Sequence, residues 1–262
     1  MEPEAIREAA DLLYGHWLAQ TRLDALPEAI RPQTRAEGYA IQALIEHHTS
    51  APLFGWKIAA TSPAGQAHIA VDGPLAGRIL TERVIPEGGT CPFGNNHMKA
   101  AELEFAFRMG TTLAPRAADY SVDEVLDAVA TMHPAIEIPD SRYEEFTKVG
   151  AAQLIADNAC AHYFMLGQAT SEQWRKADLA GQEVTGFVSD GPAQPGIGSN
   201  VLGDPRVALT WLVNELSRNG MALKVGEVVT TGTCVPPMTI APGDLIRGDF
   251  APFGTVSLTM GV

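Results

Sequence analysis

Within "AELEFAFRMG", residues 101 to 110, Glu102 and Glu104 flank Leu103, and Phe105 and Phe107 follow at the same spacing of two. In a strand, side chains alternate between faces. Leu103, Phe105 and Phe107 then share an apolar face, and Glu102 and Glu104 share the opposite one. Carboxylates about 7 Å apart along a strand can converge on one object. That object is either water or a cation. The stretch "HPAIEIPDSRY" repeats the pattern: Ala135, Glu137 and Pro139 alternate with Ile136 and Ile138. Three carboxylates from two strands suit a hard divalent ion such as Mg²⁺ or Mn²⁺, which prefers oxygen ligands. Zinc fits less well, because no His or Cys stands at ligand spacing. Lys57, in the apolar run "GWKIAAT", is either an edge-strand lysine with its ammonium in water or a functional group in a pocket.

Several elements must position these groups. Ile6, Ala10, Leu13 and Trp17 recur at helical spacing over residues 3 to 20, and a second helix is expected over "RAEGYAIQALIEHH". His47 and His48 are adjacent, so on a helix they point about 100° apart and do not share a metal. From Leu53 onward, short apolar runs alternate with Gly, Pro and Asp, which are strand and turn signals. One helix interrupts them: "SVDEVLDAVATM" opens with Ser121 and Glu124 at capping-box spacing and runs to the Glu137 strand. The stretch "VSDGPAQPGIGSNVLGDP" is rich in Gly and Pro and reads as an irregular loop. Asp204, Pro205 and Gly220 bound a further helix, and the tail reads as four short strands. The layout is a helical region over 1–52 and a β-rich domain over 53–262.

Composition limits the function classes. The chain has 262 residues, 46% of them hydrophobic and 19% charged, enough for a sizeable core. Its formal net charge of −13 disfavours nucleic acid and anionic membrane. No apolar run reaches the roughly 18 residues of a membrane span. The acidic, amphipathic start "MEPEAIREAADLL" is unlike a signal peptide. Cys91, Cys160 and Cys234 form no CxxC pair, which favours reduced thiols in a cytoplasmic protein.

At these residues the sequence resembles the fumarylacetoacetate hydrolase superfamily, in the branch of 2-keto-4-pentenoate hydratases and 4-oxalocrotonate decarboxylases. The resemblance runs from about Tyr39 to the C-terminus. It is carried, in order, by "GYAIQ", "GWKIAATSPAGQ", "AELEFAF", "HPAIEIPDSRY", "LIADNACAHYFMLG", "VLGDPRVALTWLVNEL" and "GEVVTTGT". It implies an α+β fold, a mixed β-roll with an N-terminal helical region. It implies Mg²⁺ or Mn²⁺ on Glu102, Glu104 and Glu137, with Lys57 as the catalytic lysine. The substrate would be a 2-oxo acid, with the metal as Lewis acid on its 2-oxo group. A buried lysine beside a dication is expected to have a lowered pKa, suited to moving protons. Arg142 either binds a substrate carboxylate or pairs with Asp140. Thr231 and Thr233 are candidates for contact with a substrate carboxylate, and Asp157 and Asn158 satisfy backbone groups or support the metal ligands from behind.

The chain also departs from the family pattern. The hydratases usually carry an acidic residue where Leu75 stands, and Asp72 substitutes for it only if the loop turns differently. No His–Glu dyad of the carbon–carbon bond hydrolases is evident, and His133 reads as a helix-end residue. The first expectation is therefore a hydratase of a 2-oxo-4-enoate in aromatic catabolism. The alternatives are a decarboxylase of a 2-oxo dicarboxylate, an acylpyruvate hydrolase, or a non-catalytic accessory subunit. The resemblance further implies a homo-oligomer, with a hetero-complex with a pathway lyase as a further option.

Overall fold

The computed structural model describes residues 1–262. Six α-helices, α1 (Pro3–Ala19), α2 (Arg35–Ala43), α3 (Pro63–His68), α4 (Val122–Asp127), α5 (Ala151–Ala156) and α6 (Pro205–Arg218), accompany thirteen strands. The strands are β1 (Gly55–Ala59), β2 (Leu75–Ile79), β3 (Val84–Ile85), β4 (Thr90–Cys91), β5 (Ala100–Met109), β6 (Val129–Ile138), β7 (Tyr163–Leu166), β8 (Glu183–Val188), β9 (Gln194–Ile197), β10 (Val228–Thr233), β11 (Met238–Thr239), β12 (Leu245–Asp249) and β13 (Thr255–Met260). They form two mixed sheets. The larger runs β2-β1-β10-β5-β6-β7-β3, with β11 on β5, and the smaller runs β4-β13-β12-β8-β9.

The alternation in β5 decides how the sheets stack. Leu103, Phe105 and Phe107 are fully buried in one core with Ile246, Phe250, Val256 and Leu258 of the smaller sheet and its turn. Phe105 meets Phe250 edge-on at 5.2 Å between ring centroids. Burying each such ring contributes on the order of 2–3 kcal/mol. The opposite face of β5 is thereby turned away from the smaller sheet, and it carries Glu102 and Glu104.

The N-terminal region contains α1, α2 and two 3₁₀ turns, and no strand before Gly55. Thr34 and Glu37 form a capping box at the start of α2. The α-helix stops at Ala43, and Leu44–His48 continues as 3₁₀, so the expected single helix changes pitch before the histidines. His48 stacks on Tyr14 at 4.0 Å. Trp17 of α1 is buried against the larger sheet's flank. Its indole N–H donates to Nδ1 of His162 at 2.7 Å, and the guanidinium groups of Arg83 and Arg142 lie over its ring. No helix is long and apolar enough to cross a membrane.

Two local expectations fail for tertiary reasons. The capping box at Ser121 and Glu124 forms, but α4 ends at Asp127, and Val129 to Met132 already belong to β6. Val129 and Met132 fit a helical stripe, yet the ladder with β5 claims them. The Gly- and Pro-rich stretch after Val188 is not irregular throughout. Gln194–Ile197 pairs with Glu183–Gly186 as a hairpin, with Pro195 on an edge strand, where its missing N–H is tolerated.

His162 makes a stability prediction. Burial first, then the nearby Arg142, Arg83 and Arg22 charges, hold its pKa well below the usual histidine value. The folded state keeps it neutral, and Nδ1 must stay unprotonated to accept from Trp17. The unfolded chain gains a proton near pH 6.5. Stability from this group is complete above about pH 6.5 and falls as pH drops below it, by up to about 1.4 kcal/mol per pH unit. Urea unfolding between pH 7.5 and 5.5 should show that extra slope in the wild type and not in His162→Gln.

Candidate metal centre

The antiparallel register of β5 and β6 places Glu102 directly opposite Glu137, and Glu104 opposite Ala135. The connection carries the short α4, but the two strands are immediate antiparallel neighbours, so no parallel crossover is involved. One ligand oxygen from each of Glu102, Glu104 and Glu137 lies within 4.8 Å of the others. Like charges in directly paired positions repel. Here the cost is raised by burial, since Glu104 and Glu137 are sealed and Glu102 is half-buried.

Few protein donors offset that charge. Glu104 Oε2 accepts from the Thr230 hydroxyl and from the Gly232 backbone N–H. Its Oε1 has no hydrogen-bond partner, and neither oxygen of Glu137 has one. The Lys57 ammonium is 3.0 Å from Glu137 Oε1, close enough for an ion pair but not aligned as a hydrogen bond. Its aligned bond goes to the Ala159 carbonyl at 3.1 Å. Burial, then the Glu102 charge, pushes the Glu104 carboxyl up to about 7. Burial also raises Glu137 well above the ordinary carboxylate value, although Lys57 opposes it. Three converging carboxylates with orphaned buried oxygens fit an oxygen-loving dication, which supplies the missing partners and compensates the charge.

Lys57 is not an edge residue. β1 lies between β2 and β10, and Lys57 is 2% exposed, so the alternative with its ammonium in water is removed. The expected lowering was for a lysine beside a bound dication, and the direction set by the chain's own groups is the reverse. Burial lowers it, but the Glu137, Glu102 and Glu104 charges outweigh burial and the net direction is upward. The platform beneath it is Asn158–Cys160, in which all three residues have positive φ (55°, 49° and 61°). Non-glycine residues rarely adopt this conformation and store strain there. Asn158 holds it down: its Oδ1 accepts from Arg78 N at 2.6 Å, and its Nδ2 donates to Arg78 O at 2.8 Å. Gly77 lets this segment approach, because a Cβ there would stand 2.4 Å from the Asn158 carbonyl oxygen.

Strand β10 supplies what local reading missed. Its pairing with β5 shifts between Thr230 and Thr233, and Gly232 sits at φ 103°. Thr230, paired with Ala106, already faces the Glu104 side of β5, and the irregularity that follows brings the Gly232 N–H onto the same carboxylate. Thr231 faces the other way and donates to the Phe105 carbonyl at 2.9 Å. Thr233 donates to Val235 O at 2.6 Å. Both hydroxyl protons proposed for substrate contact are therefore committed to main-chain carbonyls. The only sequence signal for Thr230 was the period-two pattern of its own strand, which does not say how that strand registers against β5.

The remaining candidates lie away from the carboxylates or behind them. Asp72 is exposed and paired with Arg35 at 2.7 Å, so the loop does not turn it inward to stand in for an acid at Leu75. Leu75 itself is fully buried in the core. Arg142 pairs with Asp157, not with Asp140, and also donates to the Asp140 and Ala161 carbonyls. Asp140 takes Arg22 instead, at 2.8 Å. Asp157 also accepts from Ser141 Oγ at 2.6 Å and from Arg142 N at 3.0 Å. Arg142, Asp157 and Asn158 thus brace the turn under Lys57. His133 is on β6 and not at a helix end; its ring bonds Thr131 and the Gly167 carbonyl.

Residues 66–260 match the family model described as fumarylacetoacetate (FAA) hydrolase C-terminal. The chain is 28% identical over 259 residues to a 2-keto-4-pentenoate hydratase of Paraburkholderia xenovorans (strain LB400), covering 98% of this chain and 95% of the relative. It is 31% identical over 213 residues to a 2-hydroxyhexa-2,4-dienoate hydratase of Comamonas testosteroni, covering 79% and 77%. It is 29% identical over 231 residues to a 4-oxalocrotonate decarboxylase of Pseudomonas sp, covering 86% and 87%. The fold is similar to that of the 4-oxalocrotonate decarboxylase from Pseudomonas putida G7 complexed with magnesium and adipate, with a TM-score of 0.89, 24% identity, and coverage of 99% and 98%. A family model spanning most of the chain and relatives aligned nearly end to end place this protein in the fumarylacetoacetate hydrolase family.

Proposed function

We propose that the protein is a divalent-metal-dependent lyase that adds water to a 2-oxo-4-enoate of the 2-keto-4-pentenoate type, a step of aromatic catabolism. The observation that carries this reading is the closure of Glu102, Glu104 and Glu137 to within 4.8 Å, with the Lys57 ammonium 3.0 Å from Glu137. Relatives named as hydratases support the choice of reaction. The three glutamates would hold Mg²⁺ or Mn²⁺, which, when bound, supplies a Lewis acid toward the carboxylate and 2-oxo oxygens of the substrate.

The chain's own groups divide the remaining work. Thr230 and Gly232 orient Glu104 and leave its second oxygen free. The Lys57 ammonium lies 3.0 Å from Glu137 and is sealed from bulk water, so Nζ would face a substrate held at the carboxylates. Protonated Lys57 would offset substrate charge and give its Nζ proton to carbon 3, and the water whose hydroxyl bonds to carbon 4 would return a proton to Nζ, so that one H2O is added overall. The Asn158–Cys160 turn fixes Nζ through the Ala159 carbonyl. The sealed surroundings of Lys57 and Glu137 exclude bulk water, which strengthens these interactions.

Decarboxylation of a 2-oxo dicarboxylate is the second reading. A specific observation favours it: Leu75 is buried where the hydratases usually carry an acid, and Asp72 points to solvent. Both readings share the metal and Lys57. The same resemblance carries assembly as a homo-oligomer, which sedimentation velocity measures directly.

Two experiments test the reading. Mn²⁺ binding followed by electron paramagnetic resonance should weaken by at least about 10- to 100-fold in Glu102→Gln and in Glu104→Gln. Unchanged affinity in either would remove that residue from the ligand set. With Mg²⁺ present, 2-hydroxypenta-2,4-dienoate should lose its enol absorbance without release of CO₂. Release of CO₂ from 4-oxalocrotonate, with the dienoate left untouched, reverses the order of the two readings.

A further inference from the structure

One hydroxyl at the metal end of the sheet has no assigned partner. Thr61 follows β1, four residues beyond Lys57, after a turn in which Ala60 adopts φ 58°. Its side chain lies over Gly232: a Cβ built on Gly232 would stand 2.0 Å from Thr61 Oγ1. Gly232 is the residue whose N–H donates to Glu104 at 2.5 Å. Thr61 Oγ1 is therefore held one residue's width from a carboxylate of the proposed metal centre. Its main chain is pinned, since the Thr61 carbonyl accepts from Leu202 N at 2.8 Å.

The neighbouring donors are all engaged. Thr230 serves Glu104, Thr231 serves the Phe105 carbonyl, and Thr233 serves the Val235 carbonyl. Arg142 is consumed by Asp157 and two carbonyls. Lys57 serves Glu137 and Ala159. The Thr61 hydroxyl makes no hydrogen bond within the chain, yet it is not among the sealed, unpartnered polar atoms, although the residue is only 5% exposed. A nearly buried hydroxyl left uncommitted beside Gly232, whose N–H serves Glu104, is the arrangement expected of a ligand contact.

We propose that Thr61 is a substrate-binding residue whose hydroxyl donates a hydrogen bond to the carboxylate of a 2-oxo acid held at the carboxylate cluster. The proposal rests on the metal-dependent reading above. It also accounts for Gly232, since any side chain there would displace Thr61. A threonine methyl fixes the hydroxyl rotamer, so the donor is aimed before the ligand arrives.

The test uses oxalate, which presents the paired carboxylate oxygens of a 2-oxo acid without being consumed. Calorimetry with Mg²⁺ present compares the wild type with Thr61→Val, which keeps the shape and removes the hydroxyl, and with Thr61→Ser, which restores it. Loss of a hydrogen bond to a charged group predicts oxalate binding at least about tenfold weaker in Thr61→Val, and near-wild-type binding in Thr61→Ser. Mn²⁺ affinity without oxalate should stay within about twofold in both variants. If valine destabilises the chain in a thermal melt, Thr61→Ala provides the same comparison. Oxalate affinity within about twofold of the wild type in the hydroxyl-free variant, with wild-type Mn²⁺ binding intact, overturns the role of Thr61 and leaves the metal reading standing. Absence of any Mg²⁺-dependent oxalate binding in the wild type overturns both.

Discussion

Mutual repulsion among three glutamates, brought together under a sheet and largely shielded from water, is the constraint around which the site is built. Two of them, Glu102 and Glu137, occupy directly paired ladder positions, where like charges destabilise a sheet. Burial makes the penalty larger. The apolar face of β5 leaves no escape: moving the glutamates to the other side would bring Leu103, Phe105 and Phe107 out of the main core. Burial and mutual repulsion accordingly push the Glu104 and Glu137 carboxyls upward. The chain provides one ammonium, one hydroxyl and one backbone amide, and leaves three sealed carboxylate oxygens without a hydrogen bond. That shortfall supports the proposal that the cluster holds a cation.

The support of Lys57 shows how distant segments serve one atom. Nζ is held by the Ala159 carbonyl, which belongs to a left-handed turn that ordinary residues avoid. The turn is bracketed on one side by Asn158 on the backbone of β2 and on the other by the Arg142–Asp157 pair. Arg142 in turn carries Trp17 against its face, so the N-terminal helix braces the same layer. The interaction runs from α1 through Arg142, Asp157 and Ala159 to Lys57. His162, kept neutral by burial first and then by the Arg142, Arg83 and Arg22 charges, packs against that brace through Trp17.

Residues 102 to 107 were legible in the sequence because alternation is a local property. The same holds for the capping boxes at Thr34 and Ser121 and for the Asp204–Pro205 start of α6. Each depends on neighbours within four residues. The failures share the opposite character. Val129 fits a helical stripe and a strand equally well, and pairing with Met109 decided it. Arg142 stands two residues from Asp140 in the chain, but Asp140 is drawn to Arg22 and the guanidinium turns to Asp157. Thr231 and Thr230 are adjacent, and only the register that pairs Thr230 with Ala106, on the Glu104 face of β5, determines which faces the carboxylates.

The sequence by itself determined the two-faced strands, the acidic side chains available on one face, the absence of His or Cys at metal-ligand spacing, and the family to which these motifs point. Tertiary structure alone decided that Glu102 opposes Glu137, that Lys57 of β1 reaches Glu137 of β6, three places along the sheet, and that Thr230, Gly232 and Thr61 gather at one end. Side-chain direction along a strand follows from a period of two residues, which a single segment specifies. Register, bulges and the partner of a long cationic side chain follow from competition among segments far apart in the chain, and only the folded ladder resolves that competition.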